Sequence, residues 1–437
     1  MATQVFEREI PVRYDVDVFV AGGGPAGVTA AIAAARNGCS VYLAEAMGCF
    51  GGQGTSGGVS AFMQFTDGVN FLAAGLGKEI HTRLEAAGGY GPDNDFSLRH
   101  EVLKRLYDDM VIEAGVNFTF NTRLIDVETE NGQVTGAILS AKSGIFAVKA
   151  KIYIDCTGDG DLAAWAGAPF EKGDAEGNMQ AGTLCSLWTD IAWEYAERLQ
   201  VGESRLPQAF ADKVITVEDR HLPGIRRVGR HTGGGNVGHT FGVDNTDEVS
   251  VTKAYVEARK RLLEYTEFYK RYMHGYDQIE LISTAAFMGI RETRRIMGDY
   301  VLNLNDFKAQ SVFEDEIGRY CYPVDIHESR PDAKAHAEFA EAYKTSFRYK
   351  PGESYGIPYR TLVPQGLTNV LVAGRCISSD RHIQGSVRVM PGCFITGQAA
   401  GAAAALAVKH DVDTRSVDVK ELQQLLKSMG MYLPNAN

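Results

Sequence analysis

The strongest constraint on the fold is a single βαβ unit near the start of the chain. An apolar run at 15–21 leads into Gly22-x-Gly24-x-x-Gly27 and an Ala-rich stretch, and a second apolar run ends at Glu45. This order predicts two parallel strands joined by a helix. Such glycines give a tight turn, a close backbone approach to a pyrophosphate and close helix–strand packing, and the acid accepts hydrogen bonds from a ribose diol. The unit therefore predicts a dinucleotide at the helix N-terminus.

Composition narrows the class of protein. The chain has 437 residues, a formal net charge of −11, and 48 glycines beside 13 prolines. An excess of glycine without an excess of proline favours a folded chain whose backbone approaches a ligand or another segment closely. The acidic balance disfavours nucleic acid and anionic membrane surfaces as partners.

Neither a membrane span nor a cysteine motif is predicted. The longest uncharged apolar run, 399–408, is too short for a bilayer, and the N-terminal sequence has no apolar signal core. The seven cysteines include no CxxC pair, which disfavours cysteine-ligated zinc, iron–sulfur clusters and a disulfide framework. We expect a cytoplasmic protein with no membrane partner.

The remaining pattern predicts an interrupted domain. Short strand-like runs with an Asn131-Gly132 turn predict a β-meander, and βα character returns near the C-terminus. Between them the βαβ alternation is lost. We therefore predict an α/β fold, with a Rossmann-like domain of parallel sheet plus meander built from 1–165 and 350–437, and an inserted α+β substrate or cap domain at 166–349.

Features beyond the first turn distinguish FAD from NAD. A second glycine loop lies at 51–56, the meander ends in DCTGDG, and LVAGR precedes a helix starting near Gly392. A simple NAD domain needs none of these. Four segments of the chain together resemble the FAD-dependent oxidoreductases of the glutathione-reductase-like fold, in the bacterial group related to fumarate-reductase-type flavoproteins. These segments are DVFVAGGGPAG, GGQGTSGG, YIDCTGDGD and LVAGRCISSDRHIQGSVRVMPGCFITGQAAG. The resemblance is weak within 166–282.

The resemblance implies which residues hold each part of FAD. The residues implied for the ADP half and the nearby phosphate are Gly22, Gly24, Pro25, Ala26, Gly27, Glu45, Gly52, Gln53, Thr55 and Ser56. The resemblance implies that the backbone of Leu124 or Ile125 contacts the adenine, with Gly158 close by. The residues implied for the ribityl chain and the flavin are Gly374, Arg375, Asp380 and Gly392. Arg375 stands where many relatives carry an acid, so Asp380 is expected to take over a ribityl contact. No histidine lies in 51–66 to link the flavin, so FAD is expected to be non-covalent.

Three residues are candidates for the chemistry. His382 and Arg388 belong to a segment expected to cross one flavin face as a loop. His382 is either a proton acceptor or an exposed loop histidine. Arg388 is a candidate for holding an anionic substrate group or the reduced flavin. Arg291 is a candidate for binding a substrate carboxylate, with Arg294 as a further substrate contact. The alternative for these arginines is a structural ion-pair network.

A glycine-rich segment of the insert is the best pointer to the substrate. Glycines cluster at 233–242 without an FAD role, and His239 among them is a candidate substrate contact. The set of His231, His239, Asp244 and Asp247 lacks the compact spacing of metal ligands on one element, so no metal is predicted.

These observations predict hydride transfer between a small polar metabolite and flavin N5, with the insert excluding water. The second electron partner is not identified, and a homo-oligomer is left open. One alternative is an electron-transfer subunit resembling heterodisulfide reductase A, which the scattered cysteines disfavour. Another is an NAD-dependent dehydrogenase, which the C-terminal return of the fold disfavours.

Overall fold

The computed structural model describes residues 4–5, 7–93, 96–222 and 224–436, so the outermost positions of the predicted segments, 1–3 and 437, lie outside it. The first third of the chain forms β1 (Val12–Ala21), α1 (Pro25–Arg36), β2 (Val41–Ala44), α2 (Leu76–Ala86), α3 (His100–Glu113), β3 (Asn117–Thr119), β4 (Arg123–Glu130), β5 (Gln133–Ala141), β6 (Gly144–Asp155) and α4 (Asp161–Trp165).

The middle of the chain forms β7 (Phe170–Lys172), β8 (Ser186–Thr189), α5 (Leu199–Ala211), β9 (Ile225–Arg227), β10 (Gly233–Gly235), α6 (Glu248–Tyr272), β11 (Glu280–Thr284), β12 (Arg294–Ile296), α7 (Leu304–Ala309), β13 (Glu316–Tyr320) and α8 (Ala333–Thr345). The last part forms β14 (Tyr355–Pro358), β15 (Val370–Val372), α9 (Arg381–Val387), α10 (Met390–His410) and α11 (Val419–Ser428).

A seven-stranded sheet organises the first and last parts of the chain. Its order is β3-β2-β1-β6-β5-β4, and β15 also pairs with β6. Strands β3, β2, β1, β6 and β15 are parallel, whereas β6, β5 and β4 form the antiparallel meander. The first half of β6 pairs with β5 and its last residues pair with β15. The predicted α/β fold with a parallel sheet and a meander is therefore confirmed, and the C-terminal part of the chain adds a strand to the same sheet.

The meander turn forms as its sequence indicates. Asn131 and Gly132 both have positive φ, at 50° and 79°, and join β4 to β5. Positive φ at both central residues is the geometry that suits the twist of a two-residue hairpin.

Helices α1 and α10 pack against each other through bare backbone. A Cβ at Gly397 would overlap the carbonyl oxygen of Ala26, and a Cβ at Gly401 would overlap that of Ala30. Because the contacts advance in the same direction along both helices, the helices run parallel. Helix α10 is long and apolar enough to cross a membrane, but 94% of its most apolar window is buried inside the protein. It is the central helix of the larger core.

A second hydrophobic core lies within the predicted insert. It runs from Leu184 to Ile290 and is built on the sheet β11-β8-β10-β9 and the face of α6 that carries Leu262 and Tyr269. By contrast, Ile296 to Val324 pack in the larger core with β1 and α10. The cores therefore divide the chain near residue 290, because β12, α7 and β13 pack in the larger core, and not at the predicted boundary of 349.

The glycine cluster of the insert is explained by packing. Gly233–Gly235 form β10, an inner strand of the sheet β11-β8-β10-β9. A Cβ at Gly234 would lie 2.5 Å from Cβ of Ser60, and one at Gly235 would lie 2.5 Å from Nε1 of Trp188. These glycines let a strand approach two neighbouring side chains, so they need no substrate to explain them.

Gly401→Ala is expected to destabilise the protein. The added methyl group overlaps a backbone oxygen that cannot move aside, which costs about 1–3 kcal/mol, although alanine gains about 1 kcal/mol in helix propensity. Gly229→Ala is the control, since its Cβ meets only Thr232 side-chain atoms at 3.5 Å or more. Urea unfolding compares the two variants, and equal stability would contradict the close helix contact.

Candidate active site

Three glycine-rich segments meet at the N-terminus of α1. The backbone N–H of Gly51 donates to the carbonyl of Gly23 at 2.8 Å, and a Cβ at Gly52 would lie 3.1 Å from Cα of Gly24. From the C-terminal part, a Cβ at Gly374 would lie 3.0 Å from Cβ of Ala26. Segments about 350 residues apart in sequence thus form one backbone-lined surface, as predicted.

This surface fits the phosphates of a dinucleotide. Gly22 has a φ of 94°, and a Cβ there would lie 2.6 Å from the carbonyl oxygen of Cys156. At Gly27 a Cβ would overlap the Gly22 carbonyl, whereas at Gly24 it would meet nothing within 4 Å. Gly22 and Gly27 are needed by the chain itself, and of the three glycines only Gly24 faces open space. Helix α1 has Pro25 in its first turn and no side-chain cap, so its N-terminal N–H groups are directed at that space.

Glu45, the acid at the end of β2, is buried beside the same turn. Its carboxylate accepts hydrogen bonds from the backbone N–H of Gly23 and of Met47, both at 2.7 Å. Burial raises the pKa of Glu45, and these two donors partly offset that effect. The side chain is therefore held in place at the turn before any ribose is bound.

The second glycine loop is fixed by its own side chains. Thr55 Oγ1 donates to the carbonyl of Phe50 at 2.6 Å, and Ser56 Oγ lies 3.1 Å from Cys49 Sγ. Gln53 Nε2 donates to the carbonyl of Met288 at 3.3 Å, while its Oε1 is buried and has no partner in the described residues. Both backbone groups of Thr55 and the carbonyl of Ser56 are also bonded within the protein, whereas Gln53 Oε1 is an unsatisfied acceptor between the loop and the insert.

The predicted adenine contact lies in a β-bulge. The pairing of β4 with β5 shifts between Leu124 and Asp126, so Ile125 falls out of the ladder. A residue outside the ladder has backbone groups free for another partner. Leu124 is buried in the core, and Gly158, with a φ of 76°, lies against Arg375.

Arg375 and Asp380 are engaged by the protein itself. Arg375 donates to the carbonyls of Gly158 and Ile290 at 2.9 Å and pairs with Asp159 at 2.5 Å. The Asp380 carboxylate accepts from the N–H groups of Ile383 and Leu304, both at 2.8 Å. Both side chains therefore have structural roles, and the geometry gives no support to the ribityl contact expected for Asp380.

One further expectation for the C-terminal motif, residues 371–401, needs correction. The segment that contains His382 is not a loop but α9. Helix α10 begins at Met390, so the helix start predicted near Gly392 is confirmed. Gly392 is required at this junction because a Cβ there would overlap the carbonyl oxygen of Val387. Pro391 lies in the first turn of α10, which has no side-chain cap.

His382 lies on the face of α9 opposite the residue that contacts Arg291. Its ring packs edge-on against Phe347, with ring centroids 5.9 Å apart. Gln384, two residues later and thus on the opposite side of the helix, donates to the carbonyl of Arg291 at 2.6 Å. Burial lowers the pKa of His382. The structure therefore does not bring His382 to the two predicted catalytic arginines.

The arginine cluster consists of Arg291, Arg294 and Arg295. Arg294 and Arg295 each have a carboxylate partner, whereas Arg291 has none among the described residues. Arg294 pairs with Asp161 at 2.7 Å, and Arg295 pairs with the buried Glu292 at 2.5 Å, so the substrate contact expected of Arg294 finds no support. Arg291 is buried, and within the described residues no carboxylate lies within ion-pair distance of it. Its neutral partners are the carbonyl of Ala181 at 2.8 Å, Thr183 Oγ1 at 3.0 Å and Asn236 Oδ1 at 3.4 Å. Burial lowers the pKa of Arg291 to about 10.

Arg388 and Asp325 complete a charged site beside Arg291. Arg388 donates to the backbone carbonyl of Asp325 at 3.0 Å and lies 3.7 Å from its carboxylate. Burial opposes ionisation of Asp325, but His327, Arg388 and Arg291 hold the pKa of its carboxyl well below the usual range. Burial also lowers the pKa of Arg388. Arg291 and Arg388, two of the three predicted catalytic residues, thus lie close together.

Three histidines, His221, His239 and His327, form a histidine cluster beside these charges. His239 Nε2 lies 2.7 Å from His327 Nδ1, and the rings of His221 and His239 stack with centroids 4.7 Å apart. Burial lowers the pKa of His221 to about 3. Burial and the neighbouring Arg291 lower the pKa of His327.

Sequence reasoning missed His221 and His327 and paired His239 with the wrong partners. His231 is exposed, Asp244 pairs with Lys172, and Asp247 caps α6. The available signal was the pattern Asp-x-His, which occurs at Asp219-Arg220-His221 and Asp325-Ile326-His327. The same pattern at 380–382 does not join the cluster, so the pattern alone does not select the site.

A family model described as FAD dependent oxidoreductase matches residues 17–426. The chain belongs to this family. It is therefore an FAD-dependent enzyme.

Individual relatives of this FAD-dependent oxidoreductase are distant. It is 28% identical over 183 residues to the "uncharacterized protein in nifH2 5′ region" of Methanosarcina barkeri, covering 38% of this chain and 96% of that protein. Among solved structures, a geranylgeranyl bacteriochlorophyll reductase-like protein of Thermoplasma acidophilum matches with a TM-score of 0.47 and 14% identity, covering 96% of this chain and 84% of that one. p-Nitrophenol 4-monooxygenase PnpA of Pseudomonas putida DLL-E4 matches with a TM-score of 0.47 and 12% identity, covering 95% and 88%.

Gly24→Ala is expected to weaken FAD binding without destabilising the apoprotein. The added methyl group meets no protein atom within 4 Å, but it occupies the side from which the pyrophosphate approaches. A clash of about 1–3 kcal/mol corresponds to roughly a tenfold to hundredfold loss of affinity. Titration of apoprotein with FAD, together with its melting temperature, measures both effects.

Gly48→Ala is the matched control, since its Cβ also meets nothing within 4 Å and it lies outside the phosphate turn. Unchanged FAD affinity in Gly24→Ala would contradict the assignment of this turn to the pyrophosphate.

Proposed function

We propose that the protein catalyses hydride transfer between a carbon atom of a small polar metabolite and non-covalently bound FAD, and that the metabolite carries an anionic group. The observation that carries this proposal is Arg291, a buried guanidinium whose described partners are neutral. Asp325 and Asp219 act on Arg291 only from beyond ion-pair distance. A buried cation is costly without a counter-charge in direct contact, and a substrate carboxylate or similar group would supply one.

The position of Arg291 supports a role beside the flavin. The backbone of Ile290 accepts from Arg375 of the C-terminal motif, and that of Arg291 accepts from Gln384 of α9. Helix α9 leads directly into α10, whose uncapped N-terminus stabilises negative charge. Arg291 thus joins the insert to the C-terminal segment that is implied to contact the flavin.

Bound FAD would supply the hydride acceptor or donor, and the protein's own residues would bind and orient the substrate. Arg291 would hold its anionic group, and Arg388, placed by Asp325, would add a second positive charge. The second core, from Leu184 to Ile290, would cover the site and exclude water. The second electron partner has no identified site, and a cytoplasmic location stays part of the proposal.

Arg291→Gln is expected to lower the rate of flavin reduction by the true substrate. Losing a hydrogen bond to a charged group removes about 1.5–3 kcal/mol, which is roughly tenfold to over a hundredfold in kcat/KM. The substrate is found first by an anaerobic screen of hydroxy acids, amino acids, sugars and enoates for flavin bleaching, and stopped-flow absorbance then measures the rate. FAD content is expected to stay unchanged.

Arg294→Gln and His382→Ala serve as controls, because the structure ties Arg294 to Asp161 and packs His382 against Phe347. Both are expected to retain most of the bleaching rate. A rate that collapses in His382→Ala but not in Arg291→Gln would contradict the proposed site. Bleaching by none of the substrate classes would favour the electron-carrier alternative.

A further inference from the structure

The histidine cluster is buried between the two cores and draws its members from three separate segments. His221 follows α5, His239 follows β10, and His327 follows β13. One ring nitrogen from each of the three lies within 4.8 Å of those of the other two. His239 and His327 are almost fully buried.

Each of the two most buried rings is oriented by a carboxylate. His239 Nδ1 lies 3.1 Å from Asp219 Oδ1, and His327 Nε2 lies 3.4 Å from Asp325 Oδ2. Asp219 also accepts from the backbone N–H groups of His221 and His239, at 3.0 Å and 2.7 Å, so its position is fixed. If each carboxylate accepts the ring N–H that faces it, His239 Nε2 and His327 Nδ1 carry lone pairs.

These two lone pairs point at each other across 2.7 Å. Two facing acceptors repel unless a proton or a metal ion lies between them. A shared proton would satisfy His239 and His327 but would leave the nearby ring of His221 without a role. A metal ion uses all three nitrogens at once.

The arrangement has the features of a zinc site. Imidazole is a preferred ligand of Zn²⁺, and ligating histidines usually donate their other N–H to a carboxylate. Zinc–nitrogen bonds of about 2.0–2.1 Å in a tetrahedron put the nitrogens ~3.4 Å apart. To reach that geometry, His239 Nε2 and His327 Nδ1 must separate from 2.7 Å, and the His221 ring must turn out of its parallel stack on His239. Asp219 and Asp325 supply two negative charges that offset those of a divalent cation.

We propose that His221, His239 and His327 bind one Zn²⁺ ion and leave a fourth coordination position for water or for an oxygen atom of the substrate. Three protein ligands with an open position are typical of catalytic zinc, whereas structural sites have four. Together with Arg291 and Arg388, the ion would make the site net positive and favour an anionic substrate. The proposal that a substrate oxygen occupies the fourth coordination position rests on the proposed function. The metal site itself does not depend on that function.

The test is metal binding by the FAD-loaded protein without substrate. Protein stripped with a chelator is incubated with Zn²⁺, desalted and analysed by mass spectrometry of the metal, and a fluorescent zinc chelator gives the affinity by competition. We expect one zinc per chain, and an X-ray absorption spectrum that fits three nitrogen ligands. Substoichiometric zinc in the wild-type protein would overturn the proposal and favour the shared proton.

Variants locate the ion. His239→Gln and His327→Gln are expected to lose stoichiometric zinc, and Asp219→Asn to bind it about 10- to 100-fold more weakly. His231→Gln, in the same segment but exposed, should bind like the wild type. Zinc retained by both His239→Gln and His327→Gln would overturn the site.

FAD content and circular dichroism identify any variant that fails to fold. If the histidine variants do not fold, the zinc affinity of Asp219→Asn tests the metal site instead. Stoichiometric zinc without any substrate bleaching would leave the metal site standing and count against the proposed function. Flavin bleaching by substrate in a protein that binds no zinc would support the proposed function and overturn the metal site.

Discussion

The structure depends on backbone packed directly against backbone at the centre of the FAD-binding part. Gly27 lies against the carbonyl of Gly22, and Gly397 and Gly401 lie against the carbonyls of α1. No side chain fits between these segments, so α1 and α10 are held parallel on one sheet. As a result, the N-terminal ends of both helices face the same edge, where β1, β6 and β15 end. In FAD a negative diphosphate joins the adenosine half to the ribityl chain and flavin, and two helix N-termini at one edge suit both the diphosphate and a flavin that gains negative charge on reduction.

The second organising feature is the burial of charge between the two cores. Glu292 is fully buried, and it binds Arg295, Arg381 and the backbone N–H of Gln180. This acid is a shared counter-charge for two structural arginines, and Arg295 also pairs with Glu171, whereas the hydrogen-bond partners of Arg291 are neutral. The sequence offered a substrate clamp and an ion-pair network as alternatives for this arginine cluster. The structure contains the network at Arg294 and Arg295, and Arg291 is the member that fits the clamp.

What the sequence predicted well was local in the chain. The turn Gly22–Gly27, the hairpin at Asn131-Gly132 and the return of β15 each depend on neighbouring residues with a strong conformational preference. What it missed depends on tertiary contacts. Gly233–Gly235 form a strand because Ser60 and Trp188 leave no room for side chains, although glycine alone favours a loop. His221, His239 and His327 meet only because β10 and the segments after α5 and β13 converge, and no spacing along the chain records that.

Arg375 connects the FAD-binding part of the chain to the insert. Its guanidinium binds Gly158 and Asp159 of the turn after β6 and the carbonyl of Ile290 at the end of the second core. Asp159 in turn accepts from Thr293 and Asn245. An acid at position 375 would repel Asp159 and lose both carbonyl contacts. The basic residue in this motif is therefore required by the insert, since it fixes Ile290 and hence the neighbouring Arg291 against the FAD-binding part.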